Sequence, residues 1–207
     1  MILMSNTEIV KLFYDNTIEA NTTEFIEVGC YEGSASKHLS TEMPNCKVTA
    51  YEANPVNFAH FSKELKAYNI NYVNKAICEY DGKTTFHLLD SLKTNIKSSL
   101  SKRTKAKTTT PVSVKCNTLD TLHYHNDHTY SLWIDAEGHG YEVLQGASKL
   151  LDNTKYILIE VEKHGFWVDQ KLDTDTIDLL KSKNFTPIAY DRDWTQYNIL
   201  FKKNNNS

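Results

Sequence analysis

Along the chain, short apolar runs alternate with stretches whose apolar residues recur every three or four positions. Ile9, Val10, Phe13, Tyr14 and Ile18 share one helical face, and Asn6 or Thr7 can cap that helix, which ends near Ala20 within an N-terminal segment of residues 1–22. The run Glu24–Val28 reads as a strand. A helix over Ser34–Glu42 follows, closed by Pro44, and then a strand over Lys47–Tyr51. Asn54-Pro55 opens a helix to about Tyr68, because proline is tolerated in a first turn. Ile70–Val73 is a strand, Asp81-Gly82 a turn, and Thr84–Leu89 and Val112–Cys116 alternate as strands do. Leu119 and Leu122 begin a short helix. Leu132–Ile134 is a strand, and Gly138–Leu151 reads as one helix with Val143, Leu144, Ala147 and Leu151 inward. Tyr156–Val161 is a strand and Asp175–Lys183 a helix. Thr186–Tyr190 and Tyr197–Phe201 close the chain as an antiparallel, hairpin-like edge, leaving Lys202–Ser207 as a disordered tail.

Alternating strands and helices predict an α/β fold: a mostly parallel seven-stranded sheet with helices on both faces and an antiparallel last strand, in a single domain over 1–207. Right-handed crossovers bring the strand tips carrying Glu27, Glu52, Asp135 and Glu160 to one edge, where open α/β sheets bind their ligands. Two tips are distinctive. FIEVGCYEG, residues 25–33, runs from a strand into Gly29 and Gly33, and YEANP places Glu52 19 residues after Gly33. The glycines let backbone approach a ligand, and an acid at the second tip can accept hydrogen bonds from ribose hydroxyls. The turn is G-x-x-x-G rather than G-x-G-x-x-G, and it offers no pyrophosphate cradle. Glu27 at the first tip suits a cationic head such as the amino group of S-adenosylmethionine. A nucleotide-dependent oxidoreductase, which needs the missing phosphate turn, and a non-catalytic cofactor-binding module are the competing readings.

Composition narrows the field. With 207 residues, 40% hydrophobic and 24% charged, the chain is long enough for one sizeable core. A net charge of −3 provides no drive toward nucleic acid, and no apolar run approaches the ~20 residues of a membrane span. Met1-Ile-Leu-Met lacks the basic flank of a secretory signal, so a cytoplasmic setting is expected. Cys30, Cys46, Cys78 and Cys116 lack C-x-x-C spacing, which argues against a zinc knuckle or a disulfide framework. Cys30 lies in the glycine turn and either lines the ligand site or is a small buried hydrophobe. Residues 91–110 show little periodicity. Their basic run of Lys102, Arg103, Lys105 and Lys107 reads as a solvated loop, with a lid over an anionic or glycan substrate as the alternative.

A second constellation is LWIDAEGHGYEVLQGA, residues 132–147, where Asp135 and Glu137 stand two apart as strand meets helix. They could take a proton, bind a metal or cap the helix. Asp135, Glu137, Glu160 and Glu162 are hard oxygen ligands of the kind magnesium takes, although acids at strand ends are common without a metal. His164, beyond the strand ending Glu160-Val161-Glu162, is a rival base because its pKa lies nearer neutrality. His139 either contacts substrate or covers the helix start. The H-x-H-x-x-H run His123–His128 reads as a polar surface loop at the opposite edge, with a grip on a transition metal as the alternative. Trp133 reads as core, and Phe166 and Trp167 as candidates for a substrate wall.

The chain resembles the FkbM-type methyltransferases, a branch of the Rossmann-like S-adenosylmethionine-dependent enzymes. IEVGCYEG, YEANP, NKAICEYDGKTTF, KSSL, VKCNTLDTL, WIDAEGHGYEVLQGA and YILIEVE come in the family order over residues 25–162. Departures are Glu27 where Asp is more usual, Trp133 where lysine is frequent and Gly140 where a second acid is common. The resemblance implies transfer of a methyl group to a hydroxyl, typically on a sugar or natural product. The acceptor is then a small molecule or glycan, and the chain could be one unit of a larger glycan-assembly protein. It implies that Glu27, Gly29 and Gly33 hold the methionine part of the cofactor, with Cys30 and Tyr31 in the same turn. Glu52 would take the ribose, flanked by Ala53 and Asn54. Lys75, Ala76 and Ile77 would lie against adenine, and Ser98 and Ser99 near the cofactor or lid. Asp135 and Glu137 would face the methyl group.

Overall fold

The computed structural model describes residues 1–89, 98–100, 109–191 and 195–205. Lys97 of KSSL, the basic run at 102–107, Trp194 and the last two residues lie outside the described residues.

The chain runs β1 (Ile2–Leu3), α1 (Asn6–Glu19), β2 (Glu24–Val28), α2 (Ser34–Glu42), β3 (Lys47–Glu52), α3 (Pro55–Leu65) and β4 (Ile70–Asn74). Then come β5 (Ala76–Ile77), β6 (Gly82–Leu88), β7 (Thr110–Asn117), α4 (Leu119–His123), β8 (Tyr130–Ile134) and α5 (Gly140–Gln145). A 3-10 turn (Leu150–Asn153) leads to β9 (Thr154–Glu162), α6 (Asp173–Ser182), β10 (Phe185–Tyr190) and β11 (Gln196–Lys203). Among the described residues the main sheet has eight strands in the order β1-β10-β11-β9-β8-β2-β3-β4. It is parallel except for β11, which runs antiparallel to both of its neighbours.

The expected α/β fold is present with three corrections. The sheet holds eight strands rather than seven, because Ile2 and Leu3 pair in parallel with Ala189 and Tyr190 at the edge. A two-residue strand is too short to leave a periodic signature. The last two strands do not form the edge: β11 is inserted between β9 and β10. The expected disordered tail is ordered as far as Asn204, since Lys202 and Lys203 belong to β11 and the Asn204 amide donates to Asn184 O at 2.9 Å. A separate three-stranded sheet, β5-β7-β6, stands beside the main one.

The strands are apolar because both faces of the main sheet are covered. Ile9 and Phe13 of α1 and Ala35 and Leu39 of α2 pack with Phe25, Val48 and Leu158 on one face. Val143 and Leu144 of α5 and Leu180 of α6 pack with Ile26, Leu132, Ile134 and Ile159 on the other. Fully burying each of the larger side chains among them contributes about 1.5–3 kcal/mol. Ser5, rather than Asn6 or Thr7, caps α1, in a reciprocal capping box with Glu8. The single helix expected over Gly138–Leu151 is broken at Gly146, whose position leaves no room for a side chain: a Cβ there would lie 2.2 Å from Cys78 O. Asp120 then accepts the Lys149 and Leu150 amides and starts the 3-10 turn.

Two carboxylates sit inside β2, at its two ends. Glu24 is fully buried and receives His123 Nδ1 at 2.5 Å, Lys47 Nζ at 2.8 Å and His128 Nδ1 at 3.0 Å. Burial alone would raise its pKa, and those three donors outweigh burial and hold it at about 2. His123 is therefore a core residue, 3% exposed and bonded through Nε2 to Tyr51 OH at 2.6 Å, and not part of a surface loop.

Candidate functional site

Glu27, at the other end of β2, begins a cavity of about 410 Å³ at the carboxyl edge of the sheet. The volume is within the usual range for small-molecule sites. β2 ends in Gly29, whose φ of +78° is left-handed. No other residue fits, since a Cβ would lie 1.7 Å from Asp135 O. That close approach places the β2 and β8 tips side by side, with Asp135 N donating to Val28 O at 2.9 Å. The Gly29 and Cys30 amides donate to Tyr51 O at the end of β3. Three adjacent parallel strands therefore deliver Glu27, Glu52 and Asp135 to one wall, and β9 adds Glu160.

Each acid has a distinct environment. Glu27 is 5% exposed and accepts from Ser36 N at 2.9 Å and from Ser36 Oγ in the first turn of α2. Burial pushes it up to about 7 against those hydrogen bonds. Glu52 accepts from Tyr31 N at 2.9 Å and Asn54 N at 2.7 Å, and burial pushes it to about 7 as well. Both oxygens keep lone pairs for further donors. Asp135 and Glu160 are hydrogen-bonded to each other, and burial raises both. Two touching carboxyls in a buried wall cannot both ionise, so the pair shares one proton. The Asp135 charge adds to burial in raising Glu160, while the hydrogen bond from Glu160 works against burial at Asp135. Gln196 Nε2 donates to Glu160 Oε2 at 2.5 Å from the neighbouring β11.

Most of the residues singled out from the sequence line this cavity: Glu27, Gly29, Cys30, Tyr31, Glu52, Ala53, Asn54, Lys75, Ala76, Ile77, Ser98, Asp135, Glu137 and Glu160. Trp133, read as core, packs against Phe13 and Tyr14 and also contributes to the lining. Gly33 does not line the cavity. It begins α2 in a left-handed conformation, where Leu65 of α3 occupies the space of a side chain. Ser99 stands behind the lining and donates from Oγ to Glu137 O at 2.6 Å, fixing a residue that itself has a left-handed φ of 47°. His164 is exposed and outside the lining. Glu162 is also outside it, held by Gln170 Nε2 at 2.6 Å and by Gln196 Nε2 at 3.3 Å. Phe166 and Trp167, candidates for a substrate wall, lie outside the cavity lining, and Trp167 is buried against Gly138. The sequence reading missed Phe86 and Leu100, which come from the small sheet and its bridging segment, and Asn57 and Gln196. Phe86 is an ordinary alternating strand residue in sequence, and only the docking of the small sheet aims it here.

Two clusters have a metal-compatible donor set among the described residues. Asp135, Glu137 and Glu160 bring carboxylate oxygens within 4.8 Å of one another, and so do one donor atom each from Cys78, Glu79 and His139. The first cluster lies in the cavity and could take a divalent ion only by giving up the Asp135–Glu160 proton. Glu162, expected in it, is turned away. As for a cofactor, the two buried acids near pKa 7 gain most from a ligand that carries a positive charge and a diol. No described helix is long and apolar enough to cross a membrane.

Comparison with known proteins bears on the fold and on the family. The chain resembles the solved precorrin-6y C5,15-methyltransferase from Geobacter metallireducens GS-15, with a TM-score of 0.54 and 14% identity over 97% of this chain and 90% of that one. It is also similar to a magnesium protoporphyrin IX methyltransferase from Synechocystis PCC 6803 with bound SAM, with a TM-score of 0.52 and 10% identity over 95% and 79%. The bifunctional kinase-methyltransferase WbdD matches with a TM-score of 0.57 and 12% identity over 95% of this chain but 38% of that protein. At these identities the likeness concerns the fold alone. No curated protein matches the chain. The sequence model described as the methyltransferase FkbM domain matches residues 27–187, from the first cavity acid to the β10 strand. The chain thus belongs to the FkbM methyltransferase-domain family and is an S-adenosylmethionine-dependent methyltransferase.

Proposed function

We propose that the protein is an O-methyltransferase acting on a sugar hydroxyl, on a glycan or glycoconjugate. The observation that carries this reading is the hydrogen-bonded Asp135–Glu160 carboxyl pair, in the same wall as the two buried acids Glu27 and Glu52. Glu27 would hold the cationic amino group of the cofactor, Glu52 the ribose diol, and Lys75, Ala76 and Ile77 the adenine. Bound in this way, S-adenosylmethionine supplies an electrophilic methyl group on a positively charged sulfur. Asp135 would accept the proton of the attacking hydroxyl as the oxygen–carbon bond forms and the methyl–sulfur bond breaks, with S-adenosylhomocysteine as the leaving group. Burial raises its proton affinity above that of an exposed aspartate, which makes it a stronger base. Glu160 and Glu137 orient it, and Gln196 holds Glu160. A positioned base is worth typically 10²–10⁴-fold. The hydrogen-bonding character of Asp135, Glu137, Glu160 and Gln196 at this end suits an acceptor rich in hydroxyls.

Asp135→Asn keeps the shape and removes the base. It is expected to lower turnover at least about a hundredfold while S-adenosylhomocysteine still binds. Near-normal turnover would reject the assignment. Turnover on a panel of sugars, glycoconjugates and non-sugar alcohols decides the acceptor class.

A further inference from the structure

A second chemical cluster lies outside the cavity, where α5 crosses the small sheet. The crossing is close: the α5 end at Gly146 abuts Cys78 O, and His139 and Glu142 at its start face the same segment. His139 Nε2 is 3.9 Å from Glu79 Oε2, and His139 Nδ1 is 3.6 Å from Glu142 Oε2. Cys78 Sγ completes a trio with Glu79 and His139 whose donor atoms lie within 4.8 Å. Cys116 of β7 hydrogen-bonds the Cys78 thiol. Among the described residues, neither imidazole nitrogen of His139 has a hydrogen-bond partner, nor has Glu142 Oε2, although all three atoms are buried. Buried polar atoms are nearly always partnered, so an orphaned imidazole between a thiol and two carboxyls needs an explanation.

We propose that Cys78, Glu79 and His139 form a metal site of the zinc class, with the fourth position open and Glu142 orienting the histidine. The donor chemistry is that of zinc: a thiol, an imidazole and a carboxylate, with a fourth position left for another ligand. Glu142 on the Nδ1 side matches the carboxylate that usually accepts from the far nitrogen of a zinc-bound histidine. Ligand atoms around a tetrahedral zinc stand roughly 3.3–3.8 Å apart, so closing onto the ion needs shifts of about 1 Å. Glu79 is half-exposed and provides the access route. Zinc there would tie the β5-β7 sheet to the start of α5, two residues after Glu137, and so brace the turn that carries the acids of the cavity. C-x-x-C spacing is absent because the ligands come from two separate segments and include one thiol.

The full-length protein, stripped of metal and reduced, is titrated with zinc against a chromophoric chelator and separately with cobalt. One equivalent of zinc and a thiolate-to-cobalt charge-transfer band are expected. Both should be lost in Cys78→Ser and in His139→Ala and retained in Cys46→Ser, whose buried thiol lies elsewhere. Glu142→Gln should weaken zinc about 10–100-fold. Circular dichroism checks each variant's fold; should the serine variant misfold, the wild-type cobalt spectrum decides. No thiolate band in the wild type overturns the proposal, as does zinc binding that survives His139→Ala or disappears in Asp135→Asn. Cofactor affinity is measured apart, by calorimetry, so this outcome is independent of the proposed reaction.

Discussion

Glu27 offers a perturbation whose effects on stability and on binding have opposite signs. Its carboxyl is raised from an ordinary 4.5 to about 7, first by burial. Between those two values the folded chain keeps a proton that the unfolded chain has lost. The group therefore favours folding at low pH, and that contribution fades as pH rises through about 7. At 1.36 kcal/mol per unit, carrying the ionised form at pH 8 costs about 3 kcal/mol relative to a neutral group. Glu27→Gln retains an oxygen for the Ser36 amide and removes the charge. For a chain of this size a kilocalorie moves the melting temperature about 2–4 °C, which sets a ceiling of roughly 6–12 °C. The new amide needs an acceptor of its own, so a gain of about 3–6 °C is expected at pH 8, and none at pH 5 where Glu27 is already neutral. Affinity for S-adenosylhomocysteine should fall, because a charged hydrogen bond to the cofactor amino group is worth about 1.5–3 kcal/mol, or roughly 10–150-fold. Wild-type affinity should itself weaken as pH drops below about 7, by up to about tenfold per unit for each of Glu27 and Glu52, with one proton fewer in the variant. Scanning fluorimetry and calorimetry from pH 5 to 8.5 measure both. A variant that binds normally, or that gains nothing at pH 8, refutes the reasoning.

Other expectations follow from the same geometry. Glu24, held at about 2, contributes stability above pH 4.5 that is lost as pH falls toward 2. Glu24→Gln should cost about 3 kcal/mol at pH 7 and flatten the acid limb of urea midpoints, whereas an unchanged midpoint would show the network to be neutral. Gly29→Ala forces a Cβ into Asp135 O and keeps a left-handed φ. It should destabilise by about 3 kcal/mol or more and abolish cofactor binding, as read by denaturant melts and calorimetry. Removing the Ser99 hydroxyl with Ser99→Ala frees the left-handed Glu137 turn and should lower turnover more than cofactor affinity, separable by steady-state kinetics.

Local chemistry written in the sequence was enough for the elements that form the cofactor half of the site. Residues 24–28 and 47–52 are largely apolar runs with an acid at or next to their carboxyl ends, and a glycine must follow the first where backbone passes backbone, so Glu27, Gly29 and Glu52 were legible in one dimension. The metal-type cluster, the buried His123–Glu24 pair and the cavity role of Phe86 were not. Each joins residues tens of positions apart whose local patterns look ordinary: His123 sits in a polar run, Phe86 in a plain alternating strand, Cys78 and Cys116 at unremarked spacing. Periodicity reports which face of an element is buried, since that depends on neighbours three or four residues away. Which partner covers that face depends on the packing of whole elements, and so does the fate of a charge there, whether rescued by a donor, raised toward neutrality or left as a ligand. The sequence determined the strands, the glycine turn and the acids at their tips; the tertiary structure alone decided which of those acids share a proton and which histidine meets a thiol.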